Sequence, residues 1–214
     1  NRTVHSSTKG QLLSRTGSRY APASPCDGLA GITAAQAPSV FIGKPCDIQG
    51  LRKTAPALPG LRERIGLAIS IFCAGTPSTA ATLRLVESLN VPVDQVTGIR
   101  YRGRGWPGTF AVWTNGSEKP AVEIPYSEAW GFLQKYRPFR CYLCPDGSGE
   151  LADISCGDPW HRKISDREQG CSLILIRTER GREIFHSAMK QGYIRAEQVK
   201  PGVLPLAQPG FPAK

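Results

Sequence analysis

Two cysteines in a C-x-x-C arrangement, Cys141 and Cys144, are the clearest candidates for metal chemistry in this chain. A tight turn brings two thiolates at that spacing to one point, where they can bind a metal ion or an iron–sulfur cluster. The following residues, up to Trp160, include four acids in an otherwise basic protein: Asp146, Glu150, Asp153 and Asp158. A zinc knuckle that only holds a loop together is the alternative interpretation.

Two further cysteines each follow a predicted buried strand. Residues 39–43 and 65–72 are short apolar runs bounded by proline, glycine or turn residues, and Cys46 and Cys73 come after them. Ligands of open α/β sheets gather outside the carboxyl ends of the strands, so both cysteines are candidate ligands. Cys46 also begins a helix predicted to be capped by Asp47 and to reach Lys53, a position that favours a thiolate. Two unrelated core cysteines are the alternative, since free cysteine is commonly buried.

Together these four thiols suit either a 4Fe–4S cluster or a structural zinc ion. A zinc ribbon usually pairs one C-x-x-C knuckle with a second, and no second C-x-x-C is present. Ligands from three separate segments therefore favour a redox cluster. This assignment leaves Cys26, Cys156 and Cys171 without a ligand role.

A loop rich in glycine and arginine, residues 101–108, is the second candidate site. Glycines allow the backbone to approach a ligand closely, and arginine pairs with phosphate in a forked geometry. Arg100, Arg102 and Arg104 alternate here with other residues, and Trp106 can stack on a flat ring. A solvated basic hairpin with one tryptophan in a core is the alternative.

The remaining pattern predicts an α/β fold, with a mixed sheet and flanking helices and a cluster site at the carboxyl ends of strands. Strands are expected at 96–102, 109–114, 151–155 and 172–178, with a weak one at 11–14 and a hairpin turn at Asn115-Gly116. Helices are expected from a Thr76 cap to Leu89, at 127–134, and at 179–191 with Gly192 beyond the last turn. Residues 161–168 read as a charged loop and 200–214 as an extended tail.

Composition narrows the class of protein. The chain has 214 residues and a net charge of +10, which favours an acidic partner such as a phosphorylated cofactor, an acidic protein or nucleic acid. The basic residues are dispersed, so nucleic acid is the least favoured of these partners.

The sequence also bears on where the protein is found. No apolar run approaches the length of a membrane span, which is about 20 residues, and no signal peptide is visible. Seven scattered cysteines suit ligands in a reducing cytoplasm better than disulfides. The first residue, Asn1, suggests a fragment.

Four stretches in order, residues 41–52, 71–78, 99–108 and 141–160, resemble the coenzyme F-420 (hereafter F420) hydrogenase/dehydrogenase beta subunit family, with a further likeness at 17–20. Members of that family are flavoproteins with a 4Fe–4S cluster. They move electrons to or from the deazaflavin coenzyme F420, ferredoxin or another flavin-accessible substrate. The family's glycine-rich front part is absent from this chain, as is any additional ferredoxin-like cysteine cluster.

The resemblance implies an oxidoreductase subunit with a 4Fe–4S cluster and FAD. Its implied cluster ligands are Cys46, Cys73, Cys141 and Cys144. Its implied FAD contacts are Tyr101, Arg102, Gly103, Arg104, Gly105, Trp106, Asp153 and Asp158. These segments are expected to converge on one cleft, with a redox coenzyme or electron-donor protein as partner and a homo- or hetero-oligomer as the assembly. Residues 1–38 would be the remnant of a preceding region, 39–199 the α/β domain and 200–214 the tail. The rival function is a zinc-stapled, basic nucleic-acid-binding module without enzymatic activity.

Overall fold

A computed structural model describes residues 3–163 and 170–210 of the chain. The helices are α1 Lys9–Leu13, α2 Leu29–Thr33, α3 Pro45–Thr54, α4 Leu61–Arg64, α5 Thr79–Ser88, α6 Tyr126–Leu133, α7 Phe139–Tyr142, α8 Glu179–Lys190 and α9 Val203–Ala207. The strands are β1 Ser39–Gly43, β2 Ile65–Ile71, β3 Val96–Arg100, β4 Thr109–Thr114, β5 Val122–Pro125, β6 Ile154–Gly157 and β7 Leu173–Ile176. Short 3-10 helices lie at Pro25–Gly28, Val93–Gln95 and Gln134–Tyr136. Most of the predicted loop at 161–168 lies outside the described residues.

The first sheet is mixed and has the strand order β1-β2-β6-β7. β1, β2 and β6 run parallel, and β7 pairs antiparallel with β6. The central strands are the most covered, and Ala68, Ser70 and Ser155 are fully buried, whereas Val40 and Ile42 of the outer strand β1 are exposed on one face. The predicted mixed α/β sheet with flanking helices is therefore confirmed.

A second sheet is an antiparallel meander in the order β3-β4-β5. β4 has the predicted bounds, and Asn115 and Gly116 have the positive φ values of 42° and 70° that a tight hairpin turn needs. β3 ends at Arg100 rather than Arg102, because the glycine-rich loop leaves the sheet there. Periodicity predicts the strands but does not assign them to a separate sheet.

Two hydrophobic cores support the two sheets. One packs α2, α3 and α4 against β1 and β2 around Ile48 and Leu51. The other packs α5 and α6 against the meander around Phe110 and Leu133, with Tyr20 at its margin. Residues before β1 thus contribute to both cores, through Leu29 to the first and Tyr20 to the second.

Several local predictions are wrong. The strand expected at 151–155 instead runs from Ile154 to Gly157. Residues 11–14 are not a strand, because Thr8 caps a helix and its hydroxyl accepts the Gln11 N–H. The helix α5 begins after Ser78 rather than Thr76, and the Ser78 hydroxyl accepts the Ala81 N–H. Within the tail, residues 203–207 are helical rather than extended, because Ala207 is fully buried and the Gln208 Nε2 donates to the Asp158 carbonyl at 2.6 Å.

The final long helix agrees with expectation. α8 begins at Glu179, where the Thr178 hydroxyl accepts the Gly181 N–H at 3.1 Å. Gly192 follows its end with φ 76°, and the Tyr193 N–H returns to the Ala188 carbonyl at 2.9 Å. This pattern closes a helix through a left-handed glycine. No helix in the described ranges is long and apolar enough to cross a membrane.

Candidate cysteine centre and its surroundings

The parallel strands bring Cys46 and Cys73 to the end of the mixed sheet where the carboxyl ends of the strands lie (hereafter the carboxyl edge). β1 and β2 pair through Gly43 and Ser70, and each cysteine lies just beyond the end of its strand. β6 runs in the same direction and pairs with β2 through Ile71 and Cys156. The carboxyl ends of all three strands therefore share this edge, which the sequence predicts for β1 and β2.

The C-x-x-C pair reaches the same edge through the loop that follows it. Cys141 lies in α7, Cys144 lies just after it, and the Cys73 N–H donates to the Gly147 carbonyl at 2.9 Å. The buried Asp146 carboxylate holds this loop, because it accepts the N–H groups of three successive residues, Ser148, Gly149 and Glu150, at 3.0, 2.7 and 3.0 Å.

The four thiols are close enough to interact electrostatically. Cys73 interacts in this way with Cys46 and with Cys141, and Cys46 interacts with Cys144. All of these cysteines are free. Among residues 3–163 and 170–210, however, no group of three or more His, Cys, Asp or Glu side chains is arranged to hold a single metal ion.

The thiol of Cys46 is less acidic than its position at a helix start predicts. Burial is the main cause of the raised pKa, and the neighbouring Asp47 raises it further. Lys44 and Arg140 act in the opposite direction, but their effect is smaller. Asp47 is not the cap either: it lies in the first turn, where its carboxylate accepts the Lys44 N–H at 2.8 Å and the Lys44 Nζ–H at 2.6 Å.

Burial also raises the pKa of the Cys73 thiol, whereas a hydrogen bond from the Gly75 N–H to its Sγ, at 3.3 Å, lowers this pKa.

A fifth cysteine, Cys26, lies beside this group. It interacts electrostatically with Cys46, and its thiol donates to the Asp47 carbonyl at 3.5 Å. The sequence offers no signal for this approach, because Cys26 belongs to a 3-10 helix far from Cys46 in the chain.

The 101–108 loop reaches the same edge through Arg102. Its guanidinium forms two bonds with the Asp158 carboxylate, from Nη1 at 2.7 Å and from Nη2 at 3.1 Å. The Trp106 Nε1 donates to the same carboxylate at 2.9 Å. Although burial alone would lower the pKa of Arg102, the bonds and charge of Asp158 raise it above its usual value. Arg102 and Asp158 thus bind each other.

Aromatic rings surround this ion pair. Arg102 lies over the rings of Tyr126 and Trp160, at 5.1 and 5.4 Å from their centroids. Trp160 stacks on Tyr126, with ring centroids 5.8 Å apart, and packs against Trp106 at a tilt of 36°, with centroids 4.9 Å apart. One face of Trp106 therefore contacts protein rather than a ligand, and the loop is held firmly at this position.

Other residues of the loop differ in how accessible they are. Tyr101 belongs to the second core, and its hydroxyl is 2.8 Å from that of Thr82. Arg100 pairs with Glu123 at 2.6 Å. Gly103 and Gly108 form a backbone bridge, whereas Arg104 and Gly105 are exposed. Of the three predicted phosphate-binding arginines, only Arg104 is exposed.

Asp153 is separated from the other predicted contacts. Asp153 precedes β6 and Asp158 follows it. Asp153 therefore lies at the amino ends of the parallel strands, and Asp158 lies at their carboxyl ends. Its buried carboxylate accepts the Ala68 N–H at 2.7 Å and the Thr178 hydroxyl at 2.9 Å, and Arg52 pairs with it at 3.3 Å. These bonds join β2, β6 and the start of α8, so Asp153 holds the sheet together.

Arg137 is a residue of this region that sequence reasoning misses. Its Nη1 donates to the Ala74 carbonyl at 2.5 Å, next to Cys73, and its guanidinium lies 4.7 Å from the Tyr142 ring centroid, next to Cys141. The one available signal is its place shortly before the C-x-x-C pair. Its bond to the Ala74 carbonyl depends on the tertiary fold, which no local pattern encodes.

These features define an α/β protein with a cysteine-rich candidate redox centre at the carboxyl edge of its mixed sheet. A family model that describes the C terminus of the beta subunit of coenzyme F420 hydrogenase/dehydrogenase matches residues 39–202. Because the match covers more than half of the chain, the chain belongs to this family.

Curated relatives agree with the family. The chain is 28% identical over 158 residues to the F420-dependent formate dehydrogenase subunit beta of Methanocaldococcus jannaschii, covering 72% of this chain and 38% of the relative. It is 26% identical over 171 residues to the coenzyme F420 hydrogenase subunit beta of Methanococcus voltae, covering 76% of this chain and 54% of the relative. The chain thus spans 38% to 54% of these relatives.

A solved structure shares the fold. A chain of the F420-reducing nickel–iron hydrogenase complex from Methanosarcina barkeri, described in a xenon derivatisation study, superposes with a TM-score of 0.71 at 24% identity. The superposition covers 97% of this chain and 70% of the other. At this identity the likeness supports the α/β fold alone.

Proposed function

We propose that this chain is part of an oxidoreductase subunit that carries electrons between a 4Fe–4S cluster, FAD and coenzyme F420 or a ferredoxin-type partner. The observation that carries the proposal is the convergence of four free cysteines from three chain segments at one sheet edge. Membership of the beta subunit family supports the same class of activity. The names of the relatives support assembly with other subunits.

The donor set fits a cluster better than a single ion. Four thiolates are the usual ligands of a 4Fe–4S cluster, and each binds a different iron, whereas one zinc ion needs every sulfur about 2.3 Å from a single point. When bound, the cluster supplies one-electron transfer. The N–H of Gly75 would donate to the Cys73 sulfur, and the cations Lys44 and Arg140 would offset the negative charge of the thiolates at Cys46.

The FAD contacts change in detail from the sequence expectation. Arg102 and Asp158 form an ion pair with each other, so we assign them to holding the loop in place rather than to binding phosphate. The exposed Arg104 guanidinium and the backbone of Gly103 and Gly105 are the groups of this loop suited to a phosphate. Trp106, in the same loop, contacts Trp160 with ring centroids 4.9 Å apart, whereas the Arg104 guanidinium lies 6.0 Å from the Trp113 ring centroid. When bound, the flavin supplies exchange of one or two electrons with the substrate.

The charge of the chain also suits an acidic coenzyme or partner protein, because its net charge is +10. Seven free cysteines suit the reducing cytoplasm, where thiols stay available as ligands.

The cluster is tested by iron and sulfide analysis and by visible absorbance of the purified polypeptide. Cys46→Ser, Cys73→Ser, Cys141→Ser and Cys144→Ser are each expected to lower iron content and to bleach the broad visible band. Cys171→Ser is the matched control and should keep its iron. Normal iron in any two of the four variants contradicts the ligand assignment, and a colourless wild-type protein with bound zinc supports the rival module.

The flavin site is tested separately. Arg104→Ala is expected to lower FAD content while iron stays bound, and Arg62→Ala, an exposed arginine of α4 at the far edge of the sheet, should change neither. Unchanged FAD in Arg104→Ala would remove this residue from the site without affecting the cluster assignment.

A further inference from the structure

We propose that Arg137 is a positioning residue for the cysteine centre, an inference that rests on the proposed function. It connects the loop that carries Cys73 to the helix that carries Cys141. Its Nη1 donates to the Ala74 carbonyl at 2.5 Å, and its Nε donates to the Gln134 carbonyl at 2.9 Å. The face of the same guanidinium lies over the Tyr142 ring at 4.7 Å. One side chain thus contacts three segments around the thiols.

The loop after Cys73 is shaped to receive Arg137. Gly75 has φ +113°, which side-chain-bearing residues rarely adopt, and a Cβ there would lie 2.3 Å from the Arg137 Cδ. In this conformation the Gly75 N–H donates to the Cys73 sulfur at 3.3 Å. The arginine therefore packs on the residue whose N–H sets the orientation of the Cys73 sulfur.

A backbone contact reinforces the same junction. The Ser78 N–H donates to the Tyr136 carbonyl at 3.1 Å, so the end of the Cys73 loop is joined to the residue before Arg137. α7 and the C-x-x-C pair follow Arg137 directly. A shift of the junction would move Cys73 relative to Cys141, two thiols that the proposed cluster needs at a fixed separation.

The chemistry of arginine suits this role. Its planar guanidinium donates in two directions while its face stacks on an aromatic ring, whereas lysine offers a single ammonium and no plane. Both acceptors are neutral carbonyl oxygens, so these two bonds leave the positive charge of Arg137 beside the cysteines. A nearby positive charge favours the reduced, more negative form of a cluster.

The test compares Arg137→Ala, Arg137→Lys and wild type in the intact polypeptide, all prepared without oxygen. The readouts are the rate of iron loss to a chelator, the electron paramagnetic resonance spectrum of the reduced cluster, and its reduction potential. Arg137→Ala is expected to weaken iron binding about 10–100-fold, the usual effect of losing a group that orients metal ligands. Its remaining clusters should show a shifted spectrum and a more negative potential.

Arg137→Lys separates charge from geometry. This variant keeps the positive charge, so the reduction potential of its cluster should stay nearer to that of wild type. The loss of the planar guanidinium and of its stacking on Tyr142 should still accelerate iron loss. Arg100→Ala is the matched control: Arg100 is also half-buried and lies over Trp113 at 5.2 Å, but it belongs to the second sheet. It is expected to lower the unfolding midpoint while leaving iron loss and the spectrum unchanged.

The outcomes distinguish this inference from the proposed function. Wild-type protein without iron overturns both. Wild-type protein with iron, together with an Arg137→Ala variant whose iron loss, spectrum and potential match those of Arg100→Ala, overturns the positioning role alone.

Discussion

Arg102 and Asp158 form a bidentate ion pair that connects the glycine-rich loop to the end of β6, with N–O distances of 2.7 and 3.1 Å. Both side chains are largely buried, at 12% and 29% exposure, so solvent screens the pair only in part. Removal of one partner leaves the other charge without its counterion in a partly apolar setting.

Arg102→Ala and Asp158→Ala are therefore each expected to lower the free energy of unfolding by about 3 kcal/mol, as measured by denaturant titration. The double variant should lose less than the sum of the two, because the residues interact directly. Arg182→Ala, whose exposed pair with Glu179 is 3.3 Å long, should change stability by no more than about 0.5 kcal/mol. Additive losses at Arg102 and Asp158 would contradict the pairing.

Asp153 is expected to affect folding rather than cofactor content. Asp153→Ala leaves the buried Ala68 N–H without its acceptor and removes the partner of Arg52, so it should cost about 3 kcal/mol in denaturant titration. Asp94→Ala, an exposed acid just before β3, is the control and should be close to neutral. Wild-type stability with loss of FAD would restore Asp153 to the flavin site.

Gly108 is expected to tolerate no side chain. Its φ is +78°, and a Cβ would lie 2.1 Å from the Gly103 carbonyl oxygen, a backbone atom that cannot move freely. Gly108→Ala should cost more than about 2 kcal/mol in denaturant titration, because the backbone strain alone amounts to about 1–2 kcal/mol.

Gly10→Ala provides the contrast to that substitution, since Gly10 lies in α1 and nothing would meet its Cβ within 4 Å. It should raise stability by up to about 1 kcal/mol through helix propensity. Equal unfolding midpoints for the two alanine variants would show that the bridge between Gly103 and Gly108 is not constrained.

Tyr126 is expected to make stability fall at alkaline pH. Burial, and next the neighbouring Tyr20, raise the pKa of Tyr126 above the ordinary value of 10.0. Between pH 10.0 and the raised folded-state pKa, the unfolded chain loses a proton that the folded chain retains, so stability declines as pH rises.

The decline contributed by Tyr126 is at most about 1.4 kcal/mol per pH unit. Tyr126→Phe should make the dependence of unfolding free energy on pH shallower above pH 10.0 by up to that amount. Tyr193→Phe, at a side chain 78% exposed, should leave the slope unchanged. An identical slope in wild type and Tyr126→Phe would contradict the burial of this hydroxyl.

Local sequence was sufficient where a pattern acts over neighbouring residues. β1 and β4 have their predicted bounds, and Gly192 closes α8, because apolar runs, tight turns and left-handed glycines are encoded within a few positions. The placement of Cys46 and Cys73 at one edge also follows from sequence, once both are recognised as ends of parallel strands.

Tertiary structure decided the roles of individual charged residues. Asp153 and Asp158 lie five positions apart and are both candidate FAD contacts, yet they lie at opposite ends of β6, because this strand runs between them. Three arginines share one motif, but Arg100 pairs with β5, Arg102 pairs with the end of β6, and Arg104 is exposed. The sequence alone determined which groups can bind a cofactor; strand direction and register decided which are already paired, because ion pairing depends on distances that only the folded chain sets.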